Sequence, residues 1–342
     1  MSRPIAVCRR FAPLLTTLLL GLSLTLAPSP PAHAAPAPNP HGHGHGQGHG
    51  SGHGAGHGHR SRLAAASADA YWTPRRMRAA RPATVRKSAT ARRPATADTP
   101  PSHPFDGLPQ VGTFFWTDGG STGRFCGGTV VRSPHRDLVV SAAHCLRSPD
   151  PKRHLSFVPQ YHDGLKPHGI YPVERLYLDQ RYYDLGTAAG ARWDYAVVRL
   201  GARADGAEVE AVTGGFHLVP YPGYEHRNVR LIGYPGNKDS THPKPLDCTS
   251  ATHRYTSTDP AAPGDFLEIA CAGYIGGTSG GPFLVRDFTG YALIGVIGGY
   301  HTGGDFPDVS YSSYFTIDTL ALYLHAVRGD PPATPHPSNS SR

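Results

Sequence analysis

Residues 138–145 read Leu138-Val139-Val140-Ser141-Ala142-Ala143-His144-Cys145, an apolar run that ends in small residues, a histidine and a cysteine. Far downstream, Gly276-Gly277-Thr278-Ser279-Gly280-Gly281-Pro282 sets a serine among glycines, where backbone amides can crowd a reacting carbonyl. A base and a nucleophile are two members of a hydrolytic constellation, and the third is a carboxylate that orients the imidazole. Trp193-Asp194-Tyr195-Ala196-Val197-Val198-Arg199-Leu200 supplies an acid leading into an apolar strand. The order is therefore His144, Asp194, Ser279. Asp179 and Asp184 are rival carboxylates, but neither leads into such a strand. Gly277, lacking a Cβ, can turn its N–H towards the point faced by the N–H of Ser279, so this pair is the expected oxyanion hole.

Outward from these segments, short β-type runs recur at Val111–Trp116, Gly128–Val131, Leu138–Ser141, Tyr195–Leu200, Val229–Gly233, Phe266–Cys271, Pro282–Val285 and Tyr291–Ile297. Gly, Pro, Asp and Asn clusters separate them, the spacing of antiparallel barrels or sandwiches. One helix is expected at the end, with Ile317, Leu320, Ala321, Leu324 and Val327 on one face and Thr316 as N-cap. Residues 277–281 also fit Gly-x-Ser-x-Gly, the nucleophile turn of α/β-hydrolases. In that fold the acid and histidine follow the serine. Only 63 residues follow Ser279, and alternating strand–helix units are missing.

The N-terminal region has a different character. Arg3, Arg9 and Arg10, an apolar stretch from Phe11 to Leu26 and Ala32-His33-Ala34 predict a secretory signal peptide over 1–34. That stretch is shorter than the about 20 residues a membrane span takes, and no later segment is long and apolar enough, so no membrane span is expected. Residues 35–103 read as a disordered propeptide or linker. Seven histidines fall between His41 and His59, interleaved mainly with glycine, and Arg75-Arg76, Arg86-Lys87 and Arg92-Arg93 form basic pairs. The His-Gly tract reads as a spacer in preference to a weak metal binder. A globular unit then spans 104–328, before a flexible Pro- and Ser-rich tail over 329–342.

The net charge of +8 is misleading. Up to His103 there are 13 basic residues and two acidic ones, whereas from Pro104 onward 20 basic face 23 acidic. A nucleic-acid footprint on the globular part is therefore excluded. Once Cys8 leaves with the signal, Cys126, Cys145, Cys248 and Cys271 form an even set suited to two disulfides in an oxidising compartment. Three pairings are open, of which Cys126–Cys145 with Cys248–Cys271 is the most local. The lack of any Cys-x-x-Cys spacing argues against zinc.

The segments around His144, Asp194 and Ser279 resemble those of chymotrypsin-like and trypsin-like serine peptidases, from about Val111 to Val327. Gly233-Tyr234-Pro235-Gly236 resembles the bacterial glutamyl-endopeptidase branch. The resemblance implies an all-β fold of two antiparallel six-stranded β-barrels with a C-terminal helix and the site in the cleft between them. It implies a secreted serine endopeptidase working on protein or peptide substrates through an acyl-enzyme. No cofactor or metal is expected, and the sequence does not give the oligomeric state, for which a monomer is the expectation. It also implies a Cys126–Cys145 bridge. Its specificity pocket would involve Gly273, Tyr274, Ile297, Gly298 and Tyr300.

Several positions depart from the family pattern. Thr278 stands where zymogen-activated members carry an aspartate, and no Ile-Val-Gly-Gly-like start precedes Val111. Gly273 stands where an aspartate would select Lys or Arg. Ile297 stands where the glutamyl branch has a histidine. Gly298 replaces a serine that commonly supports the aspartate, and Tyr274 and Tyr300 are expected to narrow the pocket. The rival reading is a non-catalytic secreted binding protein on the same scaffold.

Overall fold

The computed structural model describes residues 53–84, 99–147, 152–236, 244–288 and 290–335, without the side chains of 53–59. The signal segment, the first part of the His-Gly tract, the pairs Arg86-Lys87 and Arg92-Arg93 and the end of the tail lie outside the described residues.

Two very short strands come first, β1 (Arg81–Pro82) and β2 (His103–Pro104). Then follow β3 (Val111–Thr117), β4 (Gly123–Val130), β5 (Leu138–Ser141), β6 (Arg153–Pro159), β7 (Tyr171–Leu178) and β8 (Ala196–Leu200). These six pair antiparallel in the order β4-β3-β6-β7-β8-β5, and β5 returns to β4, closing a six-stranded barrel. The run Val111–Thr117 is buried at every position, which a strand covered on one face only would not be. Phe114 faces inward with Cys126 and Phe157. Phe115 faces outward, and Trp72, upstream of the barrel, covers it at a ring separation of 5.4 Å.

The second sheet contains β9 (His217–Leu218), β10 (His226–Gly233), β11 (Leu246–Thr256), β12 (Asp265–Ala270), β13 (Pro282–Asp287), β14 (Gly290–Val296) and β15 (Val309–Ser313). Its order is β15-β12-β11-β10-β13-β14-β9, with β2 added beside β11. Disulfide Cys126–Cys145 ties β4 to the segment after β5, and Cys248–Cys271 ties β11 to the end of β12.

The helices are α1 (His53–Tyr71), α2 (Pro74–Arg78), α3 (Ala143–Leu146), α4 (Gln180–Ala189), α5 (Val209–Thr213) and α6 (Ile317–Arg328). Thr316 caps α6 as expected, accepting from Asp318 N at 3.2 Å. Its buried face differs from the expected one: Thr319 and Ala326 are buried, while Ile317 and Leu324 are exposed. The helix rests on β7 and β8 through Leu322, Tyr323, Ala326 and Val327. Apolar residues at helical spacing lie on two adjoining faces, and tertiary docking chose the narrower one.

The largest correction concerns the segment before 104. Residues 60–84 were expected to be disordered, yet they are docked on the barrel. Trp72, Met77 and Ala80 are buried, and Trp72 Nε1 donates to His154 O at 2.7 Å. β1 pairs in parallel with β4. The folded unit therefore begins well upstream of Pro104, because Ala65, Ala68, Trp72, Met77 and Ala80 alone suffice to dock a basic, Pro-containing stretch that has no apolar run.

Candidate active site

β5 ends at Ser141 inside the first barrel, and α3 then carries His144 on its first turn, pinned by the Cys126–Cys145 bridge. A 3-10 turn at Ala191–Trp193 delivers Asp194 just before β8. Asp194 is wholly buried, where an anion is costly unless hydrogen bonds replace water. Three donors do so. His144 N–H donates to Oδ1 at 2.8 Å, His144 Nδ1 lies 2.7 Å from Oδ2, and Gly299 N–H donates to Oδ2 at 2.8 Å. A carboxylate oxygen only accepts, so Nδ1 carries the proton and Nε2 holds the free lone pair. Nε2 is buried and hydrogen-bonded to nothing among the described residues. The neighbouring Tyr182 is pushed well above its ordinary value, first by burial and then by the Asp194 charge.

Ser279 sits on the turn that leads into β13 of the second sheet, packed against β4 of the first barrel and only 3% exposed. Gly127 N–H donates to Ser279 O at 2.7 Å, and Ser141 Oγ donates to Gly127 O at 2.7 Å. The turn lies so close to β4 that a Cβ at Gly280 would stand 2.2 Å from Gly127 O. Gly277 has φ 91°, and a Cβ there would lie 2.5 Å from the Phe125 ring. Only glycine fits both the conformation and the space. The N–H groups of Gly277 and Ser279 donate to no backbone carbonyl among the described residues, which leaves both free for an incoming oxyanion. No hydrogen bond joins Ser279 Oγ to His144 Nε2; such contacts often tighten only when substrate is bound.

The expected pocket residues are scattered. Tyr274 is fully buried in the second sheet's core, its hydroxyl donating to Leu231 O at 2.6 Å, so it cannot narrow a pocket. Ile297 is buried in the same core. Gly273 has Ser102 packed over it. Gly298 lies against Asp194: a Cβ there would be 3.1 Å from Oδ2. Tyr300 is half-buried among Tyr255, Phe266 and Tyr311. The next residue, His301, is held between the carboxylates of Asp259 and Asp305. Burial works against its charge, but these two carboxylates outweigh burial and raise its pKa.

The rival acids have other tasks. Asp179 caps α4 by accepting from Arg181 N at 2.9 Å, and Asp184 accepts from Gln180 Nε2 at 2.9 Å. Asp106, His162 and Asp163 approach one another, but the Lys244 ammonium lies among them, 2.7 Å from Asp106.

Sequence reasoning missed the Gly299 N–H, since a backbone donor leaves no side-chain signal. It also missed Phe125, whose position directly before Cys126 was the available clue.

Residues 126–296, half of the chain, match the trypsin-like peptidase domain. The chain belongs to this family. Membership makes it a peptidase of the hydrolase class, with proteins as substrates. The protease Anisep from Arthrobacter nicotinovorans has a similar fold, with a TM-score of 0.54 at 21% identity over 66% of this chain and 99% of that one. A thermostable serine protease, AL20, from an extremophilic microorganism is also similar, with a TM-score of 0.51 at 21% identity over 65% and 98%. No curated protein sequence matches the chain. Among the described residues, no helix is long and apolar enough to cross a membrane.

Proposed function

We propose that this peptidase is a secreted serine endopeptidase in which Ser279 is the nucleophile, His144 the general base and then general acid, and Asp194 the orienting carboxylate. The observation that carries the reading is the 2.7 Å contact of His144 Nδ1 with a wholly buried Asp194, which leaves the buried Nε2 as the base. His144 takes the Ser279 proton as Oγ attacks the peptide carbonyl, and the N–H groups of Gly277 and Ser279 receive the oxyanion. The imidazolium, stabilised by Asp194, then protonates the departing amine. Water repeats the sequence on the acyl-enzyme and releases the acid.

The two disulfides and the basic, apolar, small-residue order of 1–34 support export. Gly233-Tyr234-Pro235-Gly236 is the support for placing the chain near the glutamyl-endopeptidase branch, but the charge that branch uses is not found at Ile297. Gly273 likewise offers no carboxylate, so we expect an apolar or small residue before the cleaved bond.

Fluorophosphonate labelling tests the chemistry. The purified protein should be labelled at Ser279, and Ser279→Ala or His144→Ala should retain less than about 1% of wild-type hydrolysis while folding normally. A folded wild type that neither labels nor cleaves would instead favour the binding-protein reading.

A further inference from the structure

The edge of β4 beside Ser279 has a second occupant. β4 pairs with β3 along one side, and on the other β5 reaches only Thr129 and Val130. At Phe125 that second side is taken by residues upstream of the peptidase match. Arg81 and Pro82 pair with Arg124 and Phe125, and Ala83 N–H donates to Phe125 O at 3.0 Å.

This edge borders the proposed site. Phe125 supports Gly277, Cys126 is bonded to Cys145 next to His144, and Gly127 N–H holds Ser279 O. Because His144 must protonate the departing amine, the leaving half of a substrate runs past His144 and the bridge, along this same edge. Its obvious main-chain acceptor, Phe125 O, is already engaged. Pro82 is buried against Gly236, whose N–H donates to Gly276 O at 2.8 Å, one residue from the oxyanion donor Gly277. Ala83 packs on the cluster containing Cys126 and Cys145.

The segment is anchored rather than draped. Trp72 is buried and bonded to His154 O, and Met77 and Ala80 are fully buried. The Lys166 ammonium meets Asp69 and the Trp72 carbonyl, and Arg78 donates to Asp163 O at 3.1 Å. Consistent with a covered site, the His144 side chain is only 2% exposed.

We propose that residues 71–84 are a self-inhibitory segment, with Trp72 as its anchor and Pro82-Ala83 as the strand that blocks the leaving-group half of the cleft. This rests on the serine-peptidase reading above. A tethered segment competes at an effective concentration of order millimolar, so substrates that need this edge are taxed by the fraction of sites it covers.

The full-length chain tests this with two substrates. One is an internally quenched peptide with at least three residues on each side of the cleaved bond. The other is a p-nitrophenyl ester with none on the leaving side. Ala83→Pro deletes the one amide hydrogen that Phe125 O accepts. It should raise kcat/KM for the peptide by about 10-fold or more, mainly through KM, and leave the ester rate within about two-fold. Trp72→Ala, which loosens the anchor away from the cleft, should behave likewise and guards against misfolding of the first variant. Thermal melts confirm that each variant is folded.

If both variants leave peptide hydrolysis unchanged while the ester is turned over, the inference is overturned and the peptidase reading stands. An equal rise for peptide and ester would show that the whole site is covered and would overturn the leaving-side assignment. If no variant hydrolyses either substrate, the serine-peptidase reading itself fails, and the inference falls with it.

Discussion

Replacing Asp194 with asparagine probes the buried carboxylate without changing its volume. Three donors converge on it, one on Oδ1 and two on Oδ2. An asparagine offers one oxygen and one NH₂ group. If its oxygen takes the Oδ2 place, the NH₂ faces the His144 backbone N–H and two buried donors oppose each other. If it flips, the NH₂ faces both Nδ1 and Gly299 N–H, and the imidazole must give up its Nδ1 proton. Nε2 then carries the hydrogen and can no longer act as a base. The first arrangement leaves a buried donor unsatisfied at about 1–3 kcal/mol; for a domain of this size that is a fall of roughly 3–10 °C in melting temperature. The second removes the base and should lower kcat at pH 7 by on the order of 10³–10⁴. Steady-state hydrolysis of a peptide substrate with a calorimetric melt measures both. Retention of more than about a tenth of wild-type activity with an unchanged melt would refute the role assigned to Asp194.

Other outcomes follow from separate features. Replacing Cys248 and Cys271 together by alanine opens a loop of sequence separation 23 and should cost about 3 kcal/mol, read by urea unfolding of oxidised protein. Burial first, then the charges of Asp137 and Glu174, raise the Glu208 pKa to about 7. Protonated Glu208 therefore favours the native state below its ordinary value near 4.5, and that contribution is lost as pH rises through about 7. Glu208→Gln should melt higher than wild type at pH 8 by about 1 kcal/mol after allowance for solvent access, and the gain should vanish by pH 4. A cleavage profile on a peptide library should show apolar or small residues before the cut bond; dominance of Lys, Arg or Glu would contradict the preference proposed above.

Much of the fold was legible because its strands are apolar runs bounded by turns. The strands that escaped notice carry polar residues that interrupt the apolar pattern. β15 reads Val-Ser-Tyr-Ser-Ser, yet Ser310, Ser312 and Ser313 are fully buried, Ser312 Oγ accepting from Val296 N and Ser313 Oγ donating to Ala191 O. β11 ends in His253, Arg254 and Tyr255, polar or half-exposed on both faces. β7 places Glu174 and Arg175 at its centre. At the candidate site, the residues to which we assign the chemistry stood out by type and order. Those that shape the surroundings did not, because Tyr274 and Ile297 become core or pocket according to how the loops fold over them.

The Gly299 N–H makes the orientation of His144 depend on backbone shape rather than on side-chain identity. A main-chain donor cannot be deleted by any ordinary codon change, proline excepted. It can be misdirected, however, because Gly299 holds φ 74° and ψ −126°, a conformation costly for every other residue. Natural variation at Gly298 and Gly299 should thus be limited by geometry and not by polarity. A search for weakened relatives should look there for a gained β-carbon rather than a lost hydroxyl.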